Sequence, residues 1–167
     1  VRAFTSLATG DLAARVSLFS AVCASGVLAA LYLGGRLLGG WRVAALIGPA
    51  TLAVVPLFWM HAAIAELYAP AALLLAVVML LLVLGRERRD ARWLAAGATL
   101  GGLSLGVHPT VALAAPAALV YVAGLDVPGK WRASFVGALA GILLALGAFF
   151  VVDAINDHPT GDYDVAI

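Results

Sequence analysis

Charge is scarce in this sequence, with only 10 basic and 9 acidic side chains among 167 residues. At 11% charged and 64% hydrophobic, with a mean hydropathy of +1.07, the chain cannot cover itself with a water-facing surface as a soluble domain does. A net charge of +1 predicts nothing about nucleic acid, and "RERRDAR" reads as a solvated loop between spans, so nucleic acid is not expected as a partner. The single cysteine, Cys23, lies inside an apolar run and excludes an internal disulfide. Strict apolar–polar alternation is missing, which argues against a transmembrane β-barrel. The glycine-rich stretches "LGGRLLGG" and "LGGLSLG" lack the strand–turn–helix context of a nucleotide-binding loop. Small residues at that spacing let helices pack closely instead.

What is present is apolar sequence in long runs. Charges, Gly and Pro divide it into six candidate spans, Val16–Leu33, Val43–Trp59, Leu67–Leu84, Trp93–Val107, Thr110–Gly124 and Ser134–Val152. A bilayer-crossing helix needs about 20 apolar residues, with about 17 as a lower limit. The fourth and fifth runs are short, so a re-entrant hairpin is an alternative there. The expected fold is an all-α polytopic transmembrane bundle of about six spans, forming a single domain over residues 1–167.

The cations set an orientation. Arg36, Arg42, Arg86, Arg88, Arg89, Arg92, Lys130 and Arg132 fall in alternate loops, and only Arg2 and Arg15 fall in the others. The positive-inside rule assigns the eight to the cytoplasm. Trp41, Trp93 and Trp131 border the same loops, as an interfacial aromatic belt does. His61, Glu66, His108 and His158 then lie on the extracytoplasmic side, with Asp11, Asp153, Asp157, Asp162 and Asp164. Titratable groups gathered at one membrane face point to chemistry there, and His61, Glu66 and His108 adjoin apolar helix ends. An extracytoplasmic N-terminus without initiator Met, basic n-region or signal-type core suggests an internal fragment, with at least one earlier helix in the remainder of its chain.

Each polar residue has a reading from its position. Glu66 opens the third span, where the helix dipole favours a carboxylate, so it either stabilises the helix or accepts hydrogen bonds from substrate hydroxyls. His108 precedes Pro109 and is pushed out of helical geometry, so the fourth span should end near Val107 with His108 in a tight turn. His61 and Glu66 are five apart and do not share a helix face, so that spacing argues against a divalent-metal site made by those two alone unless the loop between the spans is irregular. Arg15 heads the first span, either pairing bidentately with a phosphate or anchoring at the interface. Trp59 and Tyr68 either stack on a sugar or belong to the aromatic belt. The span interiors offer only Ser, Thr, Gly and Cys while the charges gather at the ends, which argues against an ion path and leaves a non-enzymatic scaffold or transporter subunit as the alternative function.

"FWMHAAIAELYAPAALLLAVVMLLL" followed by "LGGLSLGVHPTVALAAP" resembles the bacterial membrane family called domain of unknown function 2723, related to the protein O-mannosyltransferases. Phe58, Trp59, Glu66, Tyr68, Gly106, His108, Thr110 and Pro116 fit that family's Phe-Trp, Glu-x-Tyr and Gly-x-His-x-Thr pattern. Arg15 and Ser20 fit its Arg-x-Asn-x-x-Ser stretch, and Ser17 departs from it where Asn is usual. The resemblance covers roughly residues 10–125. It implies a GT-C type glycosyltransferase in the bacterial plasma membrane, using a polyprenyl-phosphate sugar donor in an extracytoplasmic cavity. Glu66, His108 and His61 would be its catalytic candidates, and Arg15, Tyr68 and Trp59 its substrate-binding ones. The resemblance also implies a catalytic carboxylate in a loop before Val1, so that the segment alone is inactive.

Overall fold

The computed structural model describes residues 12–64 and 67–155, and among these there are helices and turns but no strand. In chain order they are α1 (Leu12–Leu37), α2 (Arg42–Ala53), α3 (Pro56–Ala63), α4 (Tyr68–Arg88), α5 (Ala91–Ser104), a 3-10 helix (Pro109–Ala114), α6 (Ala115–Ala123) and α7 (Lys130–Ile155). The all-α expectation holds. The count of about six spans does not. Among the described residues only Ala14–Leu37, Tyr68–Arg88 and Lys130–Ala154 are long and apolar enough to cross a bilayer, with α2 and α3 together making a fourth if counted as one bent span.

The physical reasons are local. Val54 and Val55 leave helical pairing ahead of Pro56, whose ring forces Val55 to extended geometry (φ −75°, ψ 122°), so the expected Val43–Trp59 span breaks into α2 and α3 at 69°. Pro56 itself occupies the first turn of α3, where its missing N–H costs nothing. The expected fourth span ends at Ser104 instead of Val107. Its 14 residues rise only about 21 Å, short of the ~30 Å hydrocarbon core. The expected fifth span is a 3-10 turn joined to the nine-residue α6.

Glycine contacts fix how the helices run. Gly26 packs on Leu73 and, one turn on, Ala30 shares a cluster with Ala76, so α1 and α4 are parallel; Gly85 packs on Leu94 and Gly101 faces Val78, so α4 and α5 are antiparallel. The closest approach is between α5 and α7, which lie parallel. There Gly137, Gly141 and Gly102 sit so near the carbonyls of Ala95, Thr99 and Ala138 that no side chain fits between. This is close packing of small residues, as expected for helices in lipid. A core of Val78, Leu82, Leu94, Val122, Leu125 and Val127 joins α4, α5 and the end of α6, and a second of Val27, Ala30 and Ala76 joins α1 to α4.

The α4–α5 turn is tight. Arg89 takes the left-handed conformation (φ 50°), letting the Asp90 N–H reach back to the Gly85 carbonyl as helix C-caps do. Asp90 then caps α5, its Oδ1 accepting from the Arg92 N–H at 2.9 Å. These directions bring Arg36, Arg42, Arg86, Arg88, Arg89, Arg92, Lys130 and Arg132 to one end of the bundle, because each lies at or beside a helix terminus there. The opposite end carries the terminus of α3, the start of α4 and the turn after α5.

Candidate functional site

At that opposite end three aromatic rings meet. His61, in the last turn of α3, lies 4.9 Å from Tyr68 at the start of α4, measured between ring centroids. Tyr68 lies 5.3 Å from His108, in the turn after α5. Both separations are those of interacting ring pairs. Two consecutive helices, α3 and α4, and a turn forty residues further on thus contribute one ring each.

His108 is set by its own turn. Pro109 holds it extended (φ −154°, ψ 120°), and its ring caps the 3-10 helix in place of the usual Ser or Asp. Nδ1 accepts from the Thr110 N–H at 3.3 Å, and the Thr110 hydroxyl donates to the same nitrogen at 2.6 Å. A backbone N–H can only donate, so Nδ1 is the acceptor and the neutral ring carries its proton on Nε2. His108 is therefore a capping residue that also presents an N–H.

Beneath the rings lies a pocket of about 380 Å³ between α1, α3, α4 and the 3-10 helix. Ala24, Val27, Phe58, Ala62, Ala69 and Leu75 supply apolar walls, and His61, Tyr68 and Thr110 are the side chains in its lining that can hydrogen-bond. Such a mostly apolar concavity with a few convergent polar groups is the usual form of a small-molecule site. An aromatic rim with hydroxyl and imidazole donors can stack on a sugar ring and bond its hydroxyls.

The sequence candidates divide against this geometry. His61, Tyr68 and His108 converge. Glu66, two residues before Tyr68, lies outside the described residues, as do Asp157 and His158. Arg15 does not line the pocket. With Gly26 set against Leu73, it stands about 9 Å further out along the axis than Tyr68. Trp59 does not line it either. It is 63% exposed, and its indole N–H donates to the Ala53 carbonyl at 2.5 Å, tying α3 to the end of α2. Its neighbour Phe58 does the inward packing, against the Val27–Ala30–Ala76 core. Thr110 was no candidate on its own, although its place two residues after a pre-proline histidine is the signal that could have found it. Among the described residues no three His, Cys, Asp or Glu side chains gather as metal donors would.

A bundle of helices of membrane-spanning type, with a mostly apolar pocket of about 380 Å³ at one end, is thereby defined. Residues 1–127 match the family model described as the protein O-mannosyl-transferase TMEM260 N-terminal domain, and the chain belongs to that family. Comparison with curated proteins and with solved structures finds no match.

Proposed function

We propose that this chain is part of a GT-C type membrane glycosyltransferase that takes mannose from a polyprenyl-phosphate donor at the extracytoplasmic face. The observation that carries the reading is the His61–Tyr68–His108 ring cluster over the pocket, at the end of the bundle away from the eight basic residues. The positive-inside rule assigns the basic end to the cytoplasm, in a bacterial plasma membrane if the resemblance holds, and leaves the ring cluster outside. The family's description as an O-mannosyltransferase supports mannose and a hydroxyl acceptor.

In this reading Tyr68 stacks on the donor sugar, and His61 and His108 hydrogen-bond its hydroxyls. Arg15, further out at the same end, pairs with the donor phosphate through its planar fork of donors. Glu66 either accepts from substrate hydroxyls or orients the base, and the base itself is supplied by another part of the chain. The pocket lining holds no carboxylate among the described residues, which is the observation favouring a non-enzymatic scaffold as the second reading.

Mannose transfer from a polyprenyl-phosphate donor by the purified full-length protein decides between them. Glu66→Gln and His108→Ala should each lower turnover by about two orders of magnitude or more if they act in the transition state. Arg15→Lys should weaken donor use, and Arg15→Ala should weaken it further. Unchanged rates in Glu66→Gln and His108→Ala, in equally folded protein, return the segment to the scaffold reading.

A further inference from the structure

A second cavity, which shares the walls at Leu75 and Val111 with the ring-lined pocket, opens between α6 and α7. These two helices follow one another in the chain yet make no extensive contact, since α7 packs on α5 and α6 reaches the bundle through Val122 and its own side chains. The gap is a cleft of about 410 Å³ walled by Val78, Gly101, Leu119, Val122, Phe135 and Ile142 among others. From Trp131 to Ile142 it follows α7 for about 16 Å. No charged side chain lines it, and its rim faces outward, with Leu119 57% and Phe135 71% exposed.

Such a cleft in a membrane does not stay empty. Its walls lose their dispersion partners if it does, and water needs two to four polar partners that apolar walls do not supply. Hydrocarbon fills it. The polar features are all at one end. The Ser134 hydroxyl lines the cleft, is shut off from solvent and has no hydrogen-bond partner among the described residues. Beside it the Lys130 ammonium donates to the Ala123 and Leu125 carbonyls at 2.7 and 2.5 Å and lies 5.8 Å from the Trp131 ring centre. Two of its three N–H bonds are used, and the third is available to an anion. Arg132, two residues on, projects about 200° round α7 from it, and Asp126, exposed in the α6–α7 connection, is the nearest acid in sequence.

We propose that this cleft holds one acyl chain of an anionic glycerophospholipid, with the lipid phosphate at Lys130. The site is at the basic end of the bundle, opposite the ring cluster. Lys130 and Ser134 lie beyond the family-matched residues 1–127, whereas the walls at Val78, Gly101, Leu119 and Val122 lie within them.

Native mass spectrometry of the full-length protein, given phosphatidylglycerol or phosphatidylcholine with identical acyl chains, tests this. The wild type should retain phosphatidylglycerol about fivefold better, the factor one cation near an anionic headgroup supplies. Lys130→Gln should remove the preference. Gly101→Leu should expel both lipids, because a Cβ there has open space bounded only by Val78 at 4.0 Å and the longer side chain enters the cleft. A photoactivatable phosphatidylglycerol on the wild type should label peptides containing Leu119 or Phe135, a readout that needs no variant to fold. Equal retention of the two lipids, unchanged retention in Gly101→Leu, labelling elsewhere, or displacement by a polyprenyl phosphate would each overturn the proposal.

Discussion

A methyl group added at Gly141 tests whether the α5–α7 seam holds the site together. Its Cβ would lie 2.8 Å from the Thr99 carbonyl carbon and 2.9 Å from the Leu103 nitrogen. Ordinary carbon contacts need about 3.5–4.0 Å, and neither obstacle is a flexible side chain, so the helices must separate by roughly 1 Å. That gap forfeits a quarter to a half of the dispersion along the seam, and overpacking of this kind costs about 1–3 kcal/mol. Gly147, on the same helix, is the internal control: nothing lies within 4 Å of its would-be Cβ. Gly147→Ala should gain about 0.5–1 kcal/mol from reduced backbone freedom in the unfolded chain. The backbone gain is common to both changes, so the two variants, six residues apart on one helix, should differ by the overpacking cost alone, about 1–3 kcal/mol. Unfolding of the full-length protein in mixed micelles by added denaturing detergent measures this directly. The seam also aims the turn that carries His108 at Tyr68, 5.3 Å away, so Gly141→Ala should depress sugar transfer as well. Equal stability of the two variants would refute the reasoning.

The remaining predictions concern the His108 turn and the orientation of the bundle. Thr110→Val keeps the shape but removes the hydroxyl that donates to His108 Nδ1, so it should cost about 0.5–1.5 kcal/mol and lower turnover, while Thr110→Ser restores both; thermal unfolding and sugar transfer report it. Cysteines placed at Ala63 and Asp90 stand at opposite ends of the bundle, so a membrane-impermeant thiol reagent applied to whole cells should label the first and spare the second. Labelling of both would show that the two helix ends share a side.

The sequence makes the class of molecule plain because scarcity of charge and long apolar runs have one physical outlet, a bilayer. Grouping of the cations was legible for the same reason: alternate loops between helices must lie at alternate ends. The boundaries were less legible. Pro56 falls inside an apolar run that hydropathy reads as continuous, and only the backbone restriction on Val55 divides it. Likewise α5 stops at Ser104, where the chain turns to deliver His108, although Leu105–Val107 are as apolar as the helix before them. At the site, the histidines and Tyr68 could be grouped because each adjoins a helix end on one side. Trp59 could not be placed, since an eight-residue helix at 69° decides which of Phe58 and Trp59 faces inward. Arg15 stands off the pocket because the register of α1 on α4 is set by Gly26, which no periodicity reveals.

The parallel pairing of α5 with α7 has a consequence for how the chain is built. Antiparallel neighbours can be joined by a short turn, as α4 and α5 are, but a parallel pair needs a return passage, here the 3-10 helix and α6. The contacts that close the seam, such as Gly141 on Thr99, therefore join residues some forty positions apart and cannot form until α7 has been synthesised. Until then α5 waits in the membrane with the glycine face around Gly102 uncovered and its backbone carbonyls without their final neighbour. A protein cut at the end of the family-matched segment would be arrested at that stage of assembly, with the turn that bears His108 in place and the helix that steadies it missing.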